Sequence, residues 1–164
     1  MKDHSIRKFT PDDGSGIVDI FNHFVRNSFA AYPEKEVGAD FPDRLRQTMI
    51  GESFYVVEGP DGGTVGFGFI RKHHAAEVFQ RAAELTYFIL PEHTRLGLGS
   101  RLLSILIEDA RKAGVDTLLA QISSINEPSL SFHTKSGFTE CGRFRRVGRK
   151  NGRDFDVVWM QKFI

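Results

Sequence analysis

The stretch Thr94-Arg95-Leu96-Gly97-Leu98-Gly99-Ser100 carries the clearest chemistry in the chain. Ahead of it, Leu85-Thr86-Tyr87-Phe88-Ile89-Leu90 is β-branched and aromatic, which suits a buried strand. After it, Leu102, Leu103, Leu106, Ile107 and Ala110 recur at helical spacing, and Gly114 stops the helix. Glycines at such a join let the backbone turn sharply and approach a ligand with no Cβ in the way. A helix N-terminus presents unpaired N–H groups and a positive dipole end. The predicted occupant of Arg95–Ser100 is therefore a phosphate or pyrophosphate. The dinucleotide fingerprint does not fit, because Leu102 stands where its third glycine belongs, and the Gly-Lys-Ser/Thr ending of a P-loop is absent. An ordinary glycine-containing strand-to-helix turn is the alternative at this point.

The other elements follow from local signals. Ser5–Phe9 reads as a first strand. Thr10-Pro11-Asp12-Asp13 opens a helix with a Thr cap, Pro at the first helical position and acids in the first turn. Its apolar face is Ile17, Ile20, Phe21, Phe24 and Val25. A second helix is predicted from about Phe41 to Ile50, with Leu45, Met49 and Ile50 inward. The Tyr-, Phe- and Pro-containing segment between the two helices is either one wall of a substrate pocket or a surface loop. Ser53–Glu58 and Thr64–Ile70 are strands joined by an Asp61-Gly62-Gly63 turn, with Gly66 and Gly68 leaving room for something packed on one face. Thr117–Ile122 is a fifth strand, and Asn126 caps a short helix that Gly137 ends. Phe138–Val147 and Phe155–Met160 are the last strands, joined through Lys150-Asn151-Gly152-Arg153. The predicted architecture is a single α/β (α+β) domain over residues 1–164, a mixed and mostly antiparallel sheet flanked by helices.

Composition excludes several function classes. The 22 basic and 21 acidic side chains nearly cancel, which gives no electrostatic case for nucleic acid or a membrane surface. No apolar run is long enough for a signal peptide or a membrane span. Cys141 is the only cysteine, so no internal disulfide forms and a reducing, cytoplasmic setting is expected. His73 and His74 are adjacent, point different ways on a strand and make a poor metal pair, so no metal is expected. The run Arg143-Phe144-Arg145-Arg146 alternates with apolar residues and reads as a solvated sheet face, or as a group of cations meeting cofactor phosphates or a substrate carboxylate.

Thr94-Arg95-Leu96-Gly97-Leu98-Gly99 resembles the pyrophosphate loop of the GNAT acetyltransferases, Gln/Arg-x-x-Gly-x-Gly/Ala, with Thr94 departing at the first position. Asn126-Glu127-Pro128-Ser129-Leu130-Ser131-Phe132-His133-Thr134-Lys135-Ser136-Gly137-Phe138 resembles the second signature of that family. The tail Val147-Gly148-Arg149-Lys150-Asn151-Gly152-Arg153 is similar to the phosphinothricin/methionine sulfoximine N-acetyltransferase branch, and Phe21-Asn22-His23 also fits it. The resemblance covers nearly the whole chain. It implies the GNAT fold, a seven-stranded sheet with about four helices. It also implies acetyl-CoA as cofactor, a small-molecule amine such as an amino acid or analogue as acceptor, and a homodimer.

Carried over residue by residue, the resemblance assigns the backbone of Tyr87, Phe88 and Ile89 to the pantetheine arm and acetyl group. It assigns Arg95, Leu96, Gly97, Leu98, Gly99 and Ser100 to the pyrophosphate, and Asn126 and His133 to the cofactor's flank. His74, Ala75, Ala76 and Glu84 are assigned to the acceptor. Only a neutral amine attacks a thioester, and amines are mostly protonated at pH 7. Glu84 is the candidate general base. The N–H of Ile89 is the candidate oxyanion donor, and His133 the candidate proton donor to the departing thiolate. Their competing structural readings are a solvated acid at a strand start for Glu84, a packed ring for His133 and a plain helix cap for Asn126.

The branch carries an Arg-Pro-aromatic group in the loop before Glu84. Here the loop is His73-His74-Ala75-Ala76-Glu77-Val78-Phe79-Gln80-Arg81, which leaves Arg71 or Arg81 to hold a carboxylate. A changed aromatic wall is expected as well, because the branch's Phe-Gly-Arg-Trp-Leu is here Asn151-Gly152-Arg153-Asp154-Phe155. A protein or peptide acceptor and a non-catalytic acetyl-CoA-binding module are the alternative functions.

Overall fold

The computed structural model describes residues 3–164; Met1 and Lys2, placed ahead of the first strand by the sequence, lie outside the described residues. The element order is β1 (Ser5–Lys8), α1 (Gly14–Asn27), α2 (Phe41–Arg46), β2 (Met49–Glu58), β3 (Thr64–Lys72), β4 (Ala82–Ile89), α3 (Leu98–Lys112), β5 (Thr117–Ser123), α4 (Glu127–Lys135), β6 (Thr139–Lys150) and β7 (Arg153–Phe163). The strands form one 7-stranded sheet in the order β1-β2-β3-β4-β5-β7-β6. β4 and β5 are its parallel pair, and the other neighbours are antiparallel. The expected mixed, mostly antiparallel sheet with flanking helices is what the chain forms.

Strand alternation sorts the side chains onto two cores, one per sheet face. Phe67 and Phe69 of β3 join Phe54 and Val56 of β2 beneath Ile17 and Ile20 of α1. On the other face, Leu98, Leu102, Leu103, Leu106 and Ala110 of α3 pack on Val57, Ile70, Leu118 and Ile122. Gly68 is what lets α3 come this close. A Cβ there would sit 2.9 Å from Leu102 Cδ2 and 2.9 Å from Tyr87 Cβ.

The second helix is shorter than the spacing predicts. It ends at Arg46, and Met49 already pairs with Arg71 of β3. The Thr48 hydroxyl donates to the Leu45 carbonyl at 2.8 Å and helps close that helix end. Sheet pairing therefore claims Met49 and Ile50, although Met49 still packs on the α1 core. The first helix opens with a 3₁₀ turn, Pro11–Asp13, in which the Thr10 N–H donates to Asp13 Oδ2 at 2.7 Å. At the far hairpin Asn151 (φ 50°) and Gly152 (φ 74°) both take the left-handed conformation that a two-residue turn requires, and pairing runs on to Lys150 and Arg153.

Candidate active site

β4 and β5 do not stay together. They pair through Ala82, Ala83 and Glu84 only, against Thr117, Leu118 and Leu119. Beyond Glu84 the two strands part. The Leu90 N–H donates to the Val65 carbonyl at 2.9 Å, which fixes the hydrogen-bonding parity along β4. Phe88 therefore bonds back to β3, while the C=O of Leu85 and the N–H and C=O groups of Tyr87 and Ile89 face the gap. Buried backbone groups without a strand partner invite a ligand that can hydrogen-bond. Phe88 contributes to the cleft with its ring, which lies 5.3 Å from Phe21 and 5.1 Å from Phe24, and its backbone is not free for a ligand.

The gap opens into a cleft of about 950 Å³ that runs from the start of α3 to the mouth of the β3–β4 connection. One end is the glycine turn. Gly97 (φ 76°) caps α3 in the left-handed conformation, and Arg95 (φ 63°) shares it. The first turn of α3 holds no acid, and its first in-helix bond begins at Arg101, whose N–H donates to Gly97. The amides of Leu98, Gly99 and Ser100 are thus without helical partners and line the cleft. These are the features a pyrophosphate needs. Leu96 is apart from them, 56% exposed and outside the lining. On the opposite side Asn126 caps α4 by accepting from the Ser129 N–H at 3.3 Å, and it also lines the cleft.

Glu84 sits where the strands part, 7% exposed. Its Oε2 accepts from Arg71 Nε at 3.1 Å, Arg71 Nη2 at 2.5 Å and Gln121 Nε2 at 3.2 Å. Among the described residues its Oε1 meets only His73 Nδ1, at 2.9 Å. A carboxylate only accepts, so His73 Nδ1 carries the proton. Oε2 is thereby fully used, and Oε1 keeps a lone pair. Arg71 is the register partner of Glu84 across the β3–β4 pair, and among the described residues its Nη1 has no acceptor around the cleft.

His133 is 3% exposed in the middle of the cleft's α4 wall. Its Nδ1 lies 2.7 Å from the Ser129 carbonyl, which can only accept, so Nδ1 bears the hydrogen. Nε2 is then a lone pair and accepts from the Tyr87 hydroxyl at 2.5 Å. Burial pushes the His133 imidazolium below its ordinary range and the Tyr87 phenol well above its own. Both groups are held neutral.

The remaining sequence candidates are placed differently. His74, Ala75 and Ala76 are exposed on the connection and lie outside the cleft lining, because the chain turns outward after His73. Arg81 pairs with Asp116 on the surface, so of these two arginines Arg71 is the one that reaches the cleft. His73, Gln121 and the Tyr87 hydroxyl were not singled out by sequence for the roles they hold. A β3–β4 hairpin register would have placed Arg71 opposite Glu84, whereas Gln121 needed the crossover to β5. No group of metal-ligating side chains occurs among the described residues.

Comparison with known proteins agrees with this architecture. Residues 6–159 match the family described as Acetyltransferase (GNAT) domain. The chain belongs to that family. A Pseudomonas aeruginosa protein named L-methionine sulfoximine/L-methionine sulfone acetyltransferase is 33% identical over 162 residues, covering 96% of this chain and 92% of the relative. A Brucella melitensis structure named ribosomal-protein-alanine N-acetyltransferase superposes with a TM-score of 0.86 at 32% identity, covering 98% of this chain and 99% of that one. The Salmonella typhimurium protein yncA, solved with its cofactor acetyl-CoA, superposes with a TM-score of 0.87 at 29% identity, covering 99% and 94%. This GNAT protein is an acetyl-CoA-dependent acetyltransferase. The parted strands and the acid-free start of α3 are the features of its own structure that fit the cofactor.

Proposed function

We propose that this acetyltransferase acetylates the α-amine of a free amino acid or a close analogue, by direct attack within a ternary complex. One observation carries the reading. Arg71 lines the cleft and holds Glu84 with Nε and Nη2, while its Nη1 has no acceptor among the described residues, so one residue orients the base and has a donor left for an acceptor carboxylate. The amine of an α-amino acid stands two bonds from its carboxylate carbon, which suits a cation and a general base held side by side. The relative named for methionine sulfoximine and sulfone supports the same class.

Acetyl-CoA supplies the thioester carbonyl. The Leu98–Ser100 amides would take the pyrophosphate, with Arg95 beside it and Asn126 towards the pantetheine arm. Oε1 of Glu84 accepts a proton from the ammonium, directly or through one water, while Arg71 and His73 keep the carboxylate in place. The Ile89 N–H, directed into the gap, donates to the carbonyl oxygen as negative charge grows there. His133 presents a lone pair at Nε2 and a pinned hydrogen at Nδ1, so it steadies Tyr87 and is poorly placed to supply a proton. A thiol of ordinary pKa near 8.5 leaves at neutral pH with modest help, and water suffices for that. No acyl-enzyme is required, and Cys141 is exposed on β6, away from the cleft.

The Brucella relative's name favours a second reading, acetylation of a peptide N-terminus. A peptide carries no carboxylate next to its amine, so it would leave Arg71 Nη1 unused. The homodimer and the cytoplasmic setting are also part of the proposal. The exposed apolar side chains Phe144 and Val147 on the edge strand β6 support the first, and the single free Cys141 supports the second.

The test is acceptor-dependent release of CoA thiol from acetyl-CoA. L-Methionine sulfone, L-methionine sulfoximine, L-phosphinothricin, the common amino acids, polyamines and short peptides form the acceptor panel. Turnover with free amino acids or their analogues is expected; turnover confined to peptides would overturn the reading in favour of the second. Glu84→Gln should lower turnover about 100-fold, the lower part of the general-base range, with acetyl-CoA affinity unchanged.

A further inference from the structure

Lys150 is the one charged side chain of the C-terminal hairpin that is buried, at 1% exposure. Its Nζ donates to the carbonyls of Val25 at 2.8 Å, Ser28 at 2.8 Å and Ala31 at 2.7 Å. Val25 belongs to the last turn of α1, where carbonyls lack helical partners and a cation is favoured. Ser28 and Ala31 belong to the segment after α1, and both line the cleft together with Ala30, Tyr32 and Pro33. Three buried carbonyls that converge on one point need three donors from one atom. An ammonium is the only side-chain group that has them. A guanidinium keeps the charge, but its donors diverge in a plane.

The hairpin supports the same segment at further points. The Asn151 N–H donates to Glu34 Oε1 at 2.7 Å. The ring of Phe155 lies 5.8 Å from Phe29 and 5.7 Å from Tyr32. Gly148, opposite Phe155 in the register, makes room for that ring, since a Cβ there would fall 2.2 Å from it. The glycine and the lysine of Val147-Gly148-Arg149-Lys150 thus have one destination, the back of the Ser28–Tyr32 wall.

We infer that the β6–β7 hairpin sets the shape of the acceptor end of the cleft, with Lys150 as the positioning residue that fixes the wall from behind. Lys150 touches no reacting atom. It acts through the backbone of Ser28 and Ala31. The inference rests on the acceptor reading above for what the wall receives, while the acetyl-CoA end is built from β4, α3 and α4, on which none of these contacts of Lys150, Asn151 and Phe155 falls.

The experiment is steady-state kinetics of Lys150→Met, Lys150→Arg and Phe155→Leu, with L-methionine sulfone as acceptor. Each should raise the acceptor KM by about tenfold or more, the scale that small misplacements produce, and leave the KM of acetyl-CoA within about twofold. Lys150→Arg should not rescue, because geometry and not charge alone is required. Val57→Ala, a core truncation away from the cleft, controls for lost stability and should leave the acceptor KM unchanged. An unchanged acceptor KM in Lys150→Met, equal rises for both substrates, or the same rise in Val57→Ala would overturn the inference. If Lys150→Met does not fold, Phe155→Leu decides by the same split. If the wild-type chain acetylates nothing on the panel, the acceptor reading fails. Hydrogen exchange then decides the wall: amides 28–34 should exchange faster in Phe155→Leu with amides 97–112 unchanged, and equal exchange at 28–34 would overturn it.

Discussion

Tyr87 donates its hydroxyl hydrogen to Nε2 of His133 at 2.5 Å, and the Ser129 carbonyl holds the other ring nitrogen at 2.7 Å. This order of donors makes His133 neutral, with its lone pair already committed. The pair locks the side chain of a β4 residue whose backbone faces the gap. Tyr87→Phe removes the donor and leaves a buried lone pair, a loss of roughly 1–3 kcal/mol. Chemical denaturation should show that loss. Turnover should fall by less than about tenfold, well short of the 100-fold or more that goes with a general acid. A larger fall at unchanged KM would restore the pair to the proton-transfer step.

The same burial makes a pH prediction. His133 is held below the ordinary imidazole range in the folded chain, chiefly by desolvation. The unfolded chain therefore binds that proton more readily, and stability rises with pH between the folded and unfolded values. The contribution is complete above an unfolded value of about 6.5 and is lost as pH falls below it. Melting temperature should drop between pH 7.5 and 5 in the wild-type chain and change less in His133→Gln. Parallel curves would show that other groups govern this window. The carboxylates held low by arginine, such as Asp13 and Asp154, lose their contribution only at more acid pH.

Two glycines should separate binding from folding. A Cβ on Gly97 meets nothing within 4 Å, but its φ of 76° is left-handed. Gly97→Ala strains the turn by roughly 1–2 kcal/mol and crowds the approach of a pyrophosphate. Acetyl-CoA affinity measured by calorimetry should fall about tenfold, as the strained turn relaxes away from the conformation that seats the pyrophosphate and the added methyl crowds it. Gly68 has ordinary φ but no space, with Leu102 and Tyr87 each at 2.9 Å from a Cβ. Gly68→Ala overpacks the α3 core and should lower stability by about 1–3 kcal/mol. An affinity loss in Gly68→Ala greater than in Gly97→Ala would mean that the turn does not hold the phosphates.

The fold was legible because its signals are local. The apolar runs of β2 and β3 about the Asp61-Gly62-Gly63 turn, the 3.6-residue stripe of α3, the Asn126 cap and the Asn151-Gly152 turn each reside within a few residues. The end of α2 was not, because sheet pairing with Arg71 overrode the helical spacing of Met49. In the site, Glu84 and the glycine turn were found in sequence, and the structure puts both on one cleft. The outward course of the chain at His74–Ala76 was hidden, since nothing in that composition states a direction. Gln121, Tyr87 and Lys150 act on residues 37, 46 and up to 125 positions away, through contacts that only the assembled sheet creates.

Arg71 gives the sharpest division between acceptor classes. It lines the cleft and grips Glu84 through Nε and Nη2, and its Nη1 has no acceptor among the described residues. Lysine at this position keeps a charge and one contact, but it cannot bridge the base and a substrate carboxylate in one plane. Turnover should decline for every acceptor, because Glu84 loses part of its hold. The KM should behave differently. For L-methionine sulfone it should rise about tenfold or more, the loss expected when a charge-assisted bond to the carboxylate goes. For the matching amine without the carboxylate it should hardly move in Arg71→Lys, because that molecule never used Nη1. Such a split in KM identifies a free amino acid as the substrate that Arg71 recognises. Equal KM changes for the two compounds would confine Arg71 to holding Glu84 and would shift the acceptor towards a peptide N-terminus.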